Sequence, residues 1–292
     1  TLEVACGGTT WTLAFDIIVG ELRATDPIPD GPRTPVLYWA YDDTDTLYDL
    51  HPTYDWVEVN GVGTQIAYAQ NDDVELISIP SAFGPVVFYG QPYTQLSVSA
   101  DGWIACGNYT TSDYTNTVLP STSAPPAVIC GNWDDLYPRI GSRGAGYVYW
   151  YHDSANHRFI VEHDSVRYYS GSNRDKFEVV IYDTTVVTPS GDNAIVAQYM
   201  TAVGFNNSTV GIQDPTQAIA IQDLFNGTLT HGAAPIDAGR AIKYTTVAPT
   251  GVAEQVSGAM PEGRLALTSL GNPSRGRVAF AYNLPVNGLA KL

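Results

Sequence analysis

Two short stretches carry carboxylates at a spacing that suits a divalent cation. "YDDTDTLYD" places Asp42, Asp43, Asp45 and Asp49 in one turn-rich run, and "NWDDLYP" adds Asn132, Asp134 and Asp135 at the end of an apolar stretch. Calcium takes about 6–8 oxygen ligands at about 2.3–2.6 Å, and loops with closely spaced Asp supply them. Asp42, Asp43, Asp45, Asp134 and Asp135 are therefore the candidate calcium ligands, and calcium is the one cofactor expected. On a single strand Asp134 and Asp135 would face opposite sides, so that one binds while the other caps a turn. No EF-hand spacing is present. The alternative is an acidic loop, solvated or bonded to its own backbone.

Other residue types that do chemistry are present without the partners they need. The histidines are His51, His152, His157, His163 and His231. In "HRFIVEH", His157 and His163 would share a strand face but lie roughly 20 Å apart at about 3.3 Å per residue. They cannot share an ion, and Glu162 would point the other way. There is no G-x-S-x-G elbow, no H-E-x-x-H and no cysteine beside a paired base. "GSRGAG" precedes a strand instead of opening a helix, so it reads as a turn. No catalytic residue is expected, and the chain is read as not an enzyme. Tyr147, Tyr149 and Tyr151 alternate on one face of "GYVYWYH", with Trp150 opposite. Such a stripe is either sheet packing or a platform for a glycan. The sequons at Asn108, Asn206, Asn207 and Asn226 mark Asn-rich turns in exposed loops.

The elements that must position these residues are strands. The 292 residues are 44% hydrophobic and only 15% charged, with Tyr 19, Gly 27 and Pro 19. That is a large core joined by many turns, with polar but uncharged faces. No helix-period segment of useful length stands out. Short runs such as "TYDWVEV", "VELISI", "TQLSVSA", "GYVYWYH", "KFEVVIY" and "AIVAQYMTA" recur instead, separated by "SADG", "SGSNRD", "TPSGDN" and "FNGT". Many short strands spaced by turn residues predict an all-β antiparallel sandwich. Net charge is −16 and lysine occurs only at Lys176, Lys243 and Lys291. A nucleic-acid backbone or an anionic membrane is thus an unfavourable partner. No apolar run approaches a membrane span.

Composition also sets the layout. Residues 21–35 form a Pro-rich linker, 36–246 one continuous sandwich block, and 247–264 a second, small and polar linker. That leaves strands at 1–20 and 265–292. Cys106 and Cys130 both sit in strand-like, aromatic-rich contexts. If those strands are neighbours, a disulfide between them is expected in an oxidising compartment; otherwise they are two buried free thiols. Cys6 has no evident partner.

Several stretches resemble a nidogen-like β module of large secreted bacterial proteins, often subtilisin-like or gingipain-like peptidases. They are "YWAYDDTDTLYDLHPTYDWVEV", "FYGQPYTQLSVSADGWIACG", "SAPPAVICGNWDDLYP", "GYVYWYHDSANHRFIVEHDSVRYY" and "STVGIQD". The resemblance spans roughly Tyr38 to Tyr244, and its most specific parts are "SADGWI" and "NWDDL". "NPSRGRVAFAYNLPVNGLAKL" resembles the opening strands of the immunoglobulin-like C-terminal sorting domain of type IX secretion substrates. "CGGTTWTLAFDIIVG" resembles the last strands of an immunoglobulin-like domain. The resemblance implies a central sandwich flanked by partial immunoglobulin-like strands at both ends, and an extracellular or cell-surface bacterial location.

The absence of a leader at Thr1 is read as maturation or truncation. Strands without a neighbour seek one on another chain. Trp11, Leu13, Phe15 and Ile17, with Val278, Phe280 and Tyr282, are therefore the expected intersubunit strands of head-to-tail self-association. The expected function is a non-catalytic extracellular structural module, a filament subunit joined by strand complementation. The alternatives are an accessory or stalk domain of a secreted peptidase, or a calcium-dependent adhesin or glycan-binding module.

Overall fold

The structure is a computed structural model. It describes residues 25–32 and 35–249 in full, together with the backbone of strands at 2–6, 9–13, 266–269, 280–283 and 289–291. In chain order the strands begin with β1 (Leu2–Cys6), β2 (Thr9–Leu13), β3 (Ile28–Pro29), β4 (Trp39–Asp42), β5 (Thr64–Ile66), β6 (Val74–Ser78), β7 (Val86–Phe88) and β8 (Gln91–Tyr93). Next come β9 (Gln95–Ser99), β10 (Trp103–Cys106), β11 (Val128–Trp133), β12 (Leu136–Tyr137), β13 (Tyr147–Asp153), β14 (Arg158–Tyr168), β15 (Arg174–Tyr182) and β16 (Ile195–Thr201). The last are β17 (Thr209–Gln213), β18 (Ala220–Phe225), β19 (Thr228–Leu229), β20 (Arg240–Thr245), β21 (Ala266–Ser269), β22 (Phe280–Asn283) and β23 (Leu289–Lys291). Among the described residues there is no α-helix, as the period-2 patterning predicts.

The chain falls into two compact units, one of Thr1–Glu21 with Thr250–Leu292 and one of Leu22–Pro249. In the first, β1 is the middle of a three-stranded sheet: Val4 lies opposite Trp11 of β2 on one side and Ala290 of β23 on the other. β21 pairs with β22, with Leu267 opposite Tyr282. The described terminal strands thus pair within their own chain. A strand tethered to the same chain is at far higher effective concentration than one on another molecule. Trp11 and Leu13 lie on β2, and Phe280 and Tyr282 on β22; Phe15, Ile17 and Val278 lie outside the described residues.

The second unit is a sandwich of two antiparallel sheets. One has the order β19-β18-β17-β11-β10-β9-β6, the other β3-β4-β20-β16-β15-β14-β13-β5, with β12 added on β14. Alternate residues of both sheets point inward and form the main core. Leu96, Val98, Ile104, Ile129 and Ile212 come from the first sheet, and Phe159, Val161, Phe177, Val179, Ile195 and Tyr199 from the second. Polar ties cross the same interface: the Tyr199 hydroxyl donates to Gly131 O (2.8 Å) and the Tyr244 hydroxyl to Asp223 Oδ2 (2.6 Å).

Each sheet's outer face is covered by a crossing segment of the chain. On the first sheet Trp103, Ala105, Val128, Cys130 and Trp133 are buried beneath Tyr109, Leu119 and Ala124. On the second, Val59, with Tyr54 and Val57 of an extended strap, covers Tyr149, Ile160, Val180 and Val196. The Pro-rich run expected as a linker is, over residues 25–32, part of this sandwich. Ile28–Pro29 is the edge strand β3, and the buried Asp30 carboxylate accepts the N–H groups of Leu37 and Tyr38 (3.0 and 3.2 Å). A sheet edge is where proline is tolerated, because its missing N–H faces away from the ladder.

Candidate functional site

The two stretches "SADGWI" and "NWDDL" fold against each other and make one corner of the larger unit. The turn between β9 and β10 carries Asp101 and Gly102. Gly102 has φ +81°, and a Cβ there would meet Asn132 O at 1.9 Å, so only glycine lets the turn approach β11 this closely. Its carbonyl accepts the N–H groups of Gly131 and Asn132 (both 3.2 Å). Leu136 N–H donates to Asp101 Oδ1 (3.0 Å), and Asp134 N–H to Asp101 O (3.3 Å). The chain after β11 is thereby folded back over Asp101, which is fully buried. A third segment joins them. The Asp73 carboxylate accepts Ala69 and Val74 N–H (2.8 and 3.1 Å), and Asp73 O accepts Ala100 N–H (2.9 Å). This turn holds Asp72 at φ 60°, a conformation Asp tolerates better than most residues.

The result is a group of three carboxylates, Asp72, Asp101 and Asp135, each offering an oxygen within 4.8 Å of the others. Asp72 Oδ1, Asp101 Oδ2 and Asp135 Oδ1 are buried and meet no hydrogen-bond donor among the described residues. Burial, with the charges of Asp72 and Asp135, pushes the Asp101 carboxyl up to about 9, against the pull of the Leu136 N–H and the Ser99 hydroxyl. Burial and the charges of Asp72 and Asp134 push Asp135 up to about 6. Burial also raises Asp72.

A second carboxylate group, Glu58, Glu162 and Asp164, has the same spacing and a different solution. Lys176 Nζ sits among them at 2.8 Å from Glu58, 3.1 Å from Asp164 and 3.4 Å from Glu162. Around it the strap of residues 54–60 is held by side chains of three adjacent strands. Asp55 N–H donates to Gln198 Oε1 (2.6 Å), Val57 N–H to Glu178 Oε1 (3.1 Å) and Val59 N–H to Glu162 Oε2 (2.8 Å). Gln198, Glu178 and Glu162 lie opposite one another on β16, β15 and β14. An extended segment frees an N–H on the same side every second residue, and the strap steps one strand per two residues. Burial raises Glu162 to about 7 and Glu178 to about 8.

Of the residues expected to bind calcium, Asp135 alone joins such a group. Asp42 accepts the N–H and hydroxyl of Thr44 and, through Oδ2, Ala234 N–H (2.9 Å). Asp43 pairs with Arg240 (2.7 Å), and Asp45 Oδ2 accepts Asp42 N–H (2.9 Å). Asp134 accepts Asp135 N–H (2.7 Å) and the Ser208 hydroxyl (3.3 Å). These acids bond their own backbone and neighbours, the alternative reading of the acidic runs. Asp72 and Asp101 were not among the candidates, although Asp101 stands inside the distinctive "SADGWI".

The expected disulfide is corrected. Cys106 and Cys130 are both free and buried. They do lie on adjacent strands, but Cys130 is opposite Trp103, three residues from Cys106. An odd offset sends the two side chains to opposite faces: Cys106 joins the core between the sheets, Cys130 the outer layer. The tyrosine stripe is likewise not an open platform. Tyr149 is buried, with Tyr147 and Tyr151 packed around the strap, while Trp150 stacks on Phe159. His163 is buried, its Nε2–H donating to Ser99 O (3.1 Å), and burial lowers it to about 4; His157 pairs with Asp183 (3.0 Å).

No helix among the described residues is long and apolar enough to cross a membrane. No curated protein and no solved structure matched the chain. The profile of the NIDO-related family matches residues 47–246, more than half of the chain and the span that contains the corner, the strap and both outer layers. By that match the chain belongs to the NIDO-related family.

Proposed function

We propose that this chain is a non-catalytic extracellular structural module, a spacer or accessory domain within a larger secreted protein of the bacterial cell surface. One observation carries the reading. On the outer face of the larger sheet, the polar side chains of Glu162, Glu178 and Gln198 are engaged by the backbone of the strap that crosses them, so that face is covered by the chain itself. The covered outer faces leave neither the tyrosine stripe nor the tryptophan layer open for a glycan. NIDO-related domains are typical of extracellular proteins, which supports the location. The pairing of β1 with β23 supports a spacer over a filament subunit, because strand exchange between copies loses its incentive. A secreted peptidase remains the expected kind of host, on the resemblance described above.

The test combines sedimentation velocity over a wide concentration range with fractionation of the producing cells using an antiserum to this chain. A monomer at all concentrations, recovered outside the cell in a longer polypeptide, is the expected result. Filaments, or recovery from the cytosol, would overturn the reading.

A further inference from the structure

We propose that Asp72, Asp101 and Asp135 are ligands of a divalent-cation site at the corner where residues 71–73, 100–102 and 132–136 meet, and that calcium is the ion it takes. Three segments far apart in sequence deliver one carboxylate each, with oxygens within 4.8 Å of one another. Two oxygens that each lie about 2.4 Å from one ion are at most about 4.8 Å apart, so this is the spacing of a shared calcium shell. Asp101 is fully buried, and its Oδ2 meets no donor among the described residues, although Oδ1 is held by Leu136 N–H. Asp72 Oδ1 and Asp135 Oδ1 are buried in the same condition. Asn71, next to Asp72, adds another buried side-chain oxygen without a donor.

The second carboxylate group is an internal control. Glu58, Glu162 and Asp164 converge equally closely, and there the fold supplies a cation, the Lys176 ammonium. No lysine or arginine ion pair reaches Asp72, Asp101 or Asp135 among the described residues. Buried carboxylates without a cation repel one another and lack the hydrogen bonds that buried oxygens ordinarily make. A donor set of oxygens alone, with no imidazole or thiolate, suits a hard ion. Irregular turns suit calcium better than magnesium, which demands near-ideal octahedral geometry. The site ties the turn before β6 and the turn between β9 and β10 to the chain that follows β11. It stands independently of the spacer reading.

The experiment uses the whole chain, stripped with EGTA and transferred to chelator-treated buffer near neutral pH. Calcium chloride and, separately, magnesium chloride are titrated by calorimetry, and thermal unfolding is followed with each. The expected result is saturable binding of calcium, weaker binding of magnesium, and a raised unfolding midpoint with calcium. Asp72→Asn and Asp135→Asn, both at partly exposed turn positions, should each weaken calcium about tenfold or more, and Asp101→Asn should abolish binding. Glu58→Gln, in the other carboxylate group, should leave calcium affinity unchanged. If Asp101→Asn fails to fold, the two turn variants decide the matter. The proposal is overturned if the folded chain shows neither heat nor a midpoint shift at calcium up to about 10 mM, in which case Asp101 holds a proton instead. Undiminished affinity in both turn variants, loss in Glu58→Gln, or tighter binding of magnesium would equally overturn it.

Discussion

The two outer layers of the sandwich do the same job with opposite chemistry. Over the larger sheet, the strap at 54–60 is held by carboxylates and one amide, with an ammonium at its end: Glu162, Glu178, Gln198 and Lys176. Over the seven-stranded sheet, the segment around 109–125 is held by groups that do not titrate. The indole N–H groups of Trp103 and Trp133 both donate to Asp113 O (2.9 and 2.8 Å). Gln222 Oε1 accepts Leu119 N–H (2.8 Å), and Gln213 Oε1 accepts Ser121 N–H (2.6 Å). Any buried donor or acceptor serves to satisfy a crossing backbone. Only the carboxylate version links that backbone to pH.

The largest effect should come from the neutral side. Trp133→Ala removes a fully buried ring and one of the two indole bonds, and should destabilise by about 3–5 kcal/mol in urea unfolding. The loss should be the same near pH 5 and near pH 8; a loss that changes between them would break the contrast. Next, Lys176→Met on the strap side strands Glu162 and Asp164 without their cation. It should cost about 3 kcal/mol by the same measurement.

Glu178→Ala leaves Val57 N–H and the Gln198 amide short of an acceptor. It should cost about 1–3 kcal/mol and speed limited proteolysis within the strap. The companion Glu178→Gln reads the pH link. Burial, then the charge of Glu162, raises the Glu178 carboxyl from an ordinary 4.5 to about 8 in the fold, against the Val57 and Gln198 hydrogen bonds. The folded chain therefore holds a proton that the unfolded chain has lost. The resulting stability is complete below the unfolded value of 4.5, falls as pH rises towards about 8, and changes no further above it. Glu178→Gln mimics the protonated carboxyl and does not titrate, so it should gain stability relative to wild type as pH rises through that window, and a constant difference would show that Glu178 does not titrate there. The smallest effect is Gln222→Ala, about 1 kcal/mol for one lost acceptor, again without pH dependence.

The all-β sandwich was legible because period-2 alternation and turn residues act locally, as in "GYVYWYH", which becomes β13. The same locality misleads at the strap. "TYDWVEV" alternates like a strand, and it is extended, yet its acceptors are side chains of a sheet it crosses. Alternation reports extension and burial, not which partner supplies the bonds. The candidate site was legible only through Asp135. Nearness in sequence gathered Asp42, Asp43 and Asp45, which bond their own turn and the neighbouring segment at 234–241. Nearness in space gathered Asp72 and Asp101, whose approach depends on Gly102 docking at Asn132. The available signal was the glycine beside an aspartate in "SADGWI", a turn tight enough to bury its acid. The cysteines failed on register, which no single strand encodes.

Cys106 and Cys130, one sealed on each side of the same sheet, turn the module into its own opening gauge. Neither needs oxidation to complete the architecture, so cytoplasmic production should yield the same sandwich as export. Site-resolved alkylation then separates two kinds of breathing. Modification at Cys130 ahead of Cys106 reports the tryptophan-side covering peeling away from an intact interior. Simultaneous modification reports that the two sheets part together.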